Sequence, residues 1–306
     1  MASLKELKNR IGSVKNTQKI TKAMQMVAAA KLRKAQEAAE ASRPYSDRLG
    51  HVIMSLANSM SDAEGGPELL VGNGNSDTVL LVVATADRGL CGGFNTNIVR
   101  KAREEIVALE RAGKTVKLYL IGKKGYDQLN RLYGDQIVKY ISLKEERKLH
   151  AGIAQNIGQN VTEMFEAGEF DVCKLVYSKF VNVMTQDAVA LTLIPAIAGM
   201  GSEDEAPGTD AADAVSAPDL EGAIYSYEPD EEGILRVLLP RNINTQIFSA
   251  LLENQAGEMG SKMTAMDNAT RNAGDMIDKL TLTFNRTRQA QITSELIEII
   301  SGAEAL

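Results

Sequence analysis

The chain has 306 residues, 44% of them hydrophobic, and a formal net charge of -6. That length exceeds the roughly 150 residues of a typical domain, so one or two compact units with an ample core are expected. An acidic balance argues against nucleic acid as the main partner, because phosphate binding needs a basic field.

The charge is unevenly spread. Up to Arg43 the chain carries Lys5, Lys8, Arg10, Lys15, Lys19, Lys22, Lys31, Arg33 and Lys34 against Glu6, Glu37 and Glu40, whereas Phe180 to Leu235 holds no Lys or Arg. An acidic partner is therefore expected to meet the N-terminal arm. Cys91 and Cys173 lie far apart and form no CxxC pair, which points away from a disulfide framework or a zinc site and toward a reducing cytoplasm. No signal-peptide core and no membrane span are expected, since no apolar run approaches about 18 residues.

Proline placement organises the chain, because proline inside a helix costs about 3 kcal/mol. None precedes Pro44 and none follows Pro240. Leu4, Leu7, Ile11 and Val14, then Ile20, Met24, Val27, Leu32 and Ala35, fall at helical spacing, which predicts a long amphipathic helix over residues 1–58. Between the termini the period shortens. Thr78 to Thr85, Lys114 to Ile121, Gln136 to Tyr140, Asp171 to Phe180 and Ala188 to Ile194 read as strands. Helical patterns at Asn97 to Ala112, Lys124 to Tyr133 and Gly152 to Gly168 separate them, so residues 76–198 are expected to form a mostly parallel sheet with helices packed on it. Residues 199–222 lack apolar period and are rich in Ala, Gly, Pro, Asp and Glu, reading as a flexible acidic loop, followed by a connection over 223–241.

From residue 242 to 306 the helical spacing returns with Ile243, Ile247, Leu251, Met259, Met263, Met266, Thr270, Ala273, Ile277, Leu280 and Phe284; Gly257, Gly260 and Gly274 weaken it locally. A helix from Asn242 to Ser301 is about 90 Å long, wider than an ordinary domain, and must pair with another rod. The fold class is thus α/β, with a long antiparallel coiled coil of the terminal helices and a central sheet domain.

The most enzyme-like feature is DRGLCGGFN, Asp87 to Asn95, placed after the first buried strand and before a helix, where open sheets bind phosphate. Its glycines do not match GxGxxG, so a structural turn is the preferred reading over a nucleotide or sugar-phosphate site. Gly113, Lys114 and Thr115 imitate the end of a P-loop, but they stand between a helix and a strand, the wrong order for a phosphate cradle. His51 and His150 lack ligand partners at metal spacing, and no nucleophile and base pair up. No catalytic residue, cofactor or metal site is expected.

Two features resist a bland reading. Ile292, Leu296, Ile297, Ile299 and Ile300 cover more than one face of the last helix, which one partner helix cannot bury; insertion into an apolar sleeve is expected. Met24, Met26, Met259, Met263 and Met266 suit either core filling or a surface contacted by successive neighbours. A free-standing coiled-coil scaffold is the remaining rival.

IGSVKNTQKITKAMQMVAAAKLRKAQ (Ile11 to Gln36), SRPY (Ser42 to Tyr45), DRGLCGGFN, YEPD (Tyr227 to Asp230) and FNRTRQAQITSELIEIISGA (Phe284 to Ala303) together resemble the F-type ATP synthase gamma subunit family, in its bacterial form. The resemblance implies a rotor shaft inside a ring of three alpha and three beta subunits, standing on the epsilon subunit and a membrane ring of c subunits, with nucleotide sites on the partners. It implies that Lys22, Met24, Lys262 and Met266 face the moving beta segments, and that Arg288, Gln289, Thr293, Glu295 and Glu298 meet the ring higher up. It places Tyr225, Tyr227 and Glu228 in the foot. The acidic 199–222 loop is longer than the family's usual connection, and the cysteine-bearing segment of the chloroplast form is absent, so thiol switching is not expected.

Overall fold

The computed structural model of the chain describes residues 3–60, 66–146, 148–197 and 231–304. Two rods dominate it. Helix α1 (Leu4–Met60) has 57 residues, and the C-terminal helix α6 (Glu231–Glu304) has 74. At 1.5 Å per residue these run about 85 and about 110 Å. They pair antiparallel: Gln25 of α1 bonds Asp267 of α6, while Thr21, one turn earlier, bonds Thr270, one turn later.

Both rods pass through a proline, Pro44 in α1 and Pro240 in α6. The helix therefore begins well before Asn242, and residues 231–241, expected as connection, belong to it. The physical reason lies in the packing. Leu49, Ile53 and Leu56 of α1 bury against Leu235 and Leu239 of α6, with Leu70 of the short helix α2 (Glu68–Val71) and Ala196 alongside. Burying one such side chain contributes about 1.5–3 kcal/mol, so the cluster outweighs two missing backbone bonds. The acidic loop expected at 199–222, and the first part of the connection, lie outside the described residues.

Between the rods runs a five-stranded sheet in the order β3-β2-β1-β4-β5, from β1 (Thr78–Ala84), β2 (Thr115–Ile121), β3 (Ile137–Ile141), β4 (Val172–Phe180) and β5 (Gln186–Ile194). The first four are parallel to their neighbours, and β5 returns antiparallel beside β4. Because side chains alternate along a strand, β1 presents Leu80, Val82 and Ala84 to one face and Leu81 and Val83 to the other. Helices α3 (Phe94–Arg111) and α4 (Lys123–Tyr133) cover the second face through Ile98, Ala102, Ile106 and Leu129. The first face is covered by α5 (Ala151–Glu166), through Ile153, Ile157 and Val161, and by α6 itself, through Ile243, Ile247 and Leu251.

The last helix is thus half of the rod and part of the domain's core. Glycine makes the close approach possible: a Cβ on Gly257 would stand 3.0 Å from the Phe94 ring and 3.4 Å from Ser178 Oγ. Gly257 and Gly260, which weaken the helix in isolation, seat it on the domain.

Candidate coupling site

The strand order reverses between β1 and β4, and the crevice outside the carboxyl ends of those strands is where sheets of this kind hold a ligand. Here α6 lies over β4 at that end. Asn254 Oδ1 accepts the Ser178 amide proton at 3.2 Å, and Glu253 Oε2 accepts that of Phe180 at 3.2 Å. Burial pushes the Glu253 carboxyl above its ordinary range, opposed by the Phe180 bond and by Arg43 and Lys179.

The turn at 87–95 is occupied with its own bonding. Asn95 Oδ1 accepts from the Ala86 amide at 2.9 Å, and Asn95 Nδ2 donates to Cys91 Sγ at 3.1 Å. Leu90 and Gly92 take left-handed backbone at φ 65 and 57, and a Cβ on Gly92 would lie 3.8 Å from Ala265 of α6. The Asp87 carboxylate accepts the Lys123 amide at 2.9 Å, the Leu143 amide at 2.8 Å and the Ser142 hydroxyl at 2.8 Å. One carboxylate so ties the segments that follow β1, β2 and β3. The carboxylate and the Asn95 amide are thereby committed to holding the turn and its neighbouring loops in place. Cys91 is 2% exposed, and burial raises its thiol pKa, with Glu258 adding to the rise and Lys262 opposing it. Burial likewise pushes the Cys173 thiol up.

Gly113 closes α3 in left-handed backbone at φ 76, with the Lys114 amide returning to Leu109 O at 3.0 Å. Backbone that a P-loop needs for phosphate is spent on ending a helix.

Where α1 passes the domain, a cleft of about 770 Å³ opens. Its walls are Ile20, Met24 and Val27 of α1, Leu90 of the turn, Leu143 and Leu149 of the loop after β3, and Met259 of α6. Ile20, Val27 and Leu90 are 60%, 56% and 62% exposed, an apolar surface without cover among the described residues. Lys31, Arg88, Lys144 and Lys148 stand around it with Glu145 and Glu146. Of the residues singled out from sequence, Met24 and Lys262 line this cleft and Lys22 does not, while Lys31 and Arg88 were not singled out as their neighbours. Arg88 lies in a turn far along the chain, and only packing of the domain against the rod brings it beside α1.

Lys22 is exposed, and its ammonium donates to Gln25 Oε1 at 3.0 Å. Lys262 faces inward: its Nζ meets Glu258 Oε1 at 2.6 Å, with side chains only 13% and 16% exposed. Met266 is 6% exposed and belongs to the seam between the helices, while Met24 is half-buried at the cleft. Residues 288–304 run beyond the N-terminus of α1, and all of them whose side chains are described are exposed. Ile292, Leu296, Ile297, Ile299 and Ile300 are between 50% and 70% exposed. Arg288, Gln289, Glu295 and Glu298 are exposed beside them, with Gln291 Nε2 bonded to Glu295 and the Thr293 hydroxyl donating to Gln289 O at 2.9 Å. Tyr225, Tyr227 and Glu228 lie outside the described residues.

A sheet domain that packs on one half of a two-helix rod far longer than the domain itself defines a shaft or stalk subunit. Comparison with known proteins makes the assignment specific. A family model described as ATP synthase matches residues 3–306. The ATP synthase gamma chain of Maricaulis maris is 62% identical over 306 residues, with 100% of both chains covered. That of Rhizobium rhizogenes is 59% identical over the same length, again with 100% of both covered. The chain belongs to the ATP synthase gamma chain family. Its fold matches a chain of the Tetrahymena thermophila mitochondrial ATP synthase central stalk and c-ring with TM-score 0.62 at 24% identity, over 82% of this chain and 99% of that one. A chain of the Euglena gracilis mitochondrial ATP synthase rotor matches with TM-score 0.63 at 18% identity, over 94% and 98%.

Proposed function

We propose that this chain is the central shaft of a proton-driven ATP synthase, turning inside a ring of three alpha and three beta subunits and standing on the epsilon subunit and the c-ring. It is a non-catalytic component, and the nucleotide sites belong to its partners. No helix among the described residues is long and apolar enough to cross a membrane, so it attaches to the membrane part of the complex from outside, at the cytoplasmic face of the bacterial inner membrane.

The observation that carries this reading is the single helix beyond residue 287, whose large apolar side chains stand in solvent on several faces. A lone helix of this kind is stable in water only when something encloses it. A sleeve formed by the upper ring is the partner of matching shape, with Arg288, Gln289, Thr293, Glu295 and Glu298 meeting its loops. Lower down, the cleft with Met24, Lys31 and Arg88, together with the exposed Lys22 on α1, is the collar swept past acidic beta segments. Lys262 and Met266 act there from behind, by holding the turn and the seam. Tyr225, Tyr227 and Glu228 belong to the foot.

The mechanism follows from symmetry. An asymmetric shaft makes different contacts with each of three identical beta subunits, so it biases each toward a different conformation. Rotation moves the bias from one to the next, and the coupling is reciprocal: proton-driven turning releases product, and hydrolysis turns the shaft back. The basic collar uses screened attraction, which guides a sliding contact without fixing it.

A pull-down from native membranes with the tagged chain tests the assignment: alpha, beta and epsilon subunits are expected in the captured material, and their absence defeats it. Removal of residues 292–306 is expected to weaken coupling or assembly, whereas a scaffold unrelated to rotation keeps working.

A further inference from the structure

The seam between the rods changes character along its length. From Ala28 downward the pairing is apolar and anchored to the domain: Leu32, Ala35, Ala256, Met259 and Phe180 form one buried cluster. Among the described residues, α1 above Ala28 buries only Leu7, and α6 beyond Gly260 buries only Met266 and Ala273. Apolar packing that thin tolerates a shift of one helix along the other, because a small or flexible side chain finds a similar neighbour one turn away.

A set of polar contacts occupies this stretch. Thr21 Oγ1 lies 2.8 Å from Thr270 Oγ1, and Gln18 Nε2 donates to Thr270 O at 3.4 Å. Gln25 uses both ends of its carboxamide: Nε2 donates to Asp267 Oδ1 at 2.9 Å, and Oε1 accepts from Lys22 Nζ at 3.0 Å. Asp267 is held in turn by an ion pair with Arg271. Gly274 leaves room for Gln18, whose Nε2 would stand 3.2 Å from a Cβ there.

We propose that Gln25 and Asp267, with Thr21 and Thr270, are positioning residues that lock the axial register of the two helices at the collar, so that the upper shaft turns as one body. Hydrogen bonds are directional where apolar contact is not, so these pairs are satisfied in one register, and a slip of one turn leaves half-buried donors and acceptors without partners. A polar pair in an otherwise apolar seam fixes register in coiled coils for the same reason. The lock sits directly above the anchored cluster, where torque from the domain first enters the slender part of the rod. It also presents Lys22 at a fixed height on the outer surface.

Cysteine pairs read the register. Stepping one turn up α1 and one turn on along α6 from Gln18 and Gly274 brings Val14 opposite Ile277, both half-buried. Val14→Cys with Ile277→Cys reports the native register, and Val14→Cys with Leu280→Cys reports a shift of one turn. In the assembled complex hydrolysing ATP, Gln25→Ala with Asp267→Ala is expected to raise the shifted cross-link several-fold. The same pair of substitutions is expected to lower the ratio of protons pumped to ATP hydrolysed at least two-fold. The exchange Gln25→Asp with Asp267→Gln, which rebuilds the bond in reverse, is expected to restore both. Should the double variant not assemble, Thr270→Val, which removes the hydroxyl pair at constant shape, carries the same cross-link test with a smaller expected rise. An unchanged shifted cross-link in an assembled variant overturns the proposal, as does loss of coupling with the native cross-link intact.

Discussion

A methyl group on Gly158 of α5 would stand 1.9 Å from the side-chain oxygen of Asn244 on α6, far inside contact distance. At this point an added carbon on α5 has to displace the Asn244 side chain of the shaft helix. Gly158→Ala is expected to destabilise the chain by about 1–3 kcal/mol, the usual cost of overpacking, although alanine is the better helix former. Thermal unfolding checks this, and Asn244→Ala in the same chain is expected to recover most of the loss.

Asp87 predicts a loop phenotype. Asp87→Ala leaves the Lys123 and Leu143 amides without their acceptor. A loss of about 2–4 kcal/mol is expected, with Asp87→Asn milder because one oxygen still accepts. Hydrogen exchange is the direct measurement: faster exchange at the start of α4 and after β3 is expected, and unchanged protection there defeats the idea.

Two carboxylates give opposite pH behaviour. Burial raises the Glu253 pKa above its unfolded value of about 4.3, so its penalty is absent below that pH and grows as pH rises through the folded pKa. Glu253→Gln keeps an acceptor for the Phe180 amide and is expected to gain up to about 1 kcal/mol at pH 7 and nothing at pH 4. Asp171 is lowered by the Thr78 amide and then by the Asn73 side chain. Its contribution is complete above the unfolded value of about 3.9 and is lost as pH falls through the folded pKa. Denaturant midpoints across pH 3 to 8 separate the two, and parallel curves for Glu253→Gln and the parent contradict the first.

The exposed tip separates stability from assembly. Leu296→Ser and Ile299→Ser are expected to change the unfolding free energy of the isolated chain by less than about 0.5 kcal/mol, since both side chains are more than half exposed. The same substitutions are expected to weaken association with the alpha and beta subunits, measured by co-purification.

Much of the fold was legible because it is periodic. Strands at 78–85 and 114–121 differ from β1 and β2 by one residue at an end, since a buried strand is a short apolar run that needs no partner to be recognised. The turn at 87–95 read as structural because its glycines miss the phosphate pattern, and Asp87 and Asn95 supply the reason. Pro240 misled the placement of the last helix: the rule against proline describes a helix alone, and Leu235 and Leu239 are buried by α1.

The sequence by itself determined the rods, their basic and apolar faces and the strands between them, because each follows from spacing within a few turns of one segment. Only the tertiary structure decided that Gly257 seats a helix against Phe94, that Lys262 turns inward to Glu258, and that Arg88 joins Met24 at one cleft. Those relations join residues distant along the chain. Local periodicity carries no information about which turn of one helix meets which turn of another, and here that register is set by a few polar contacts such as Gln25 with Asp267.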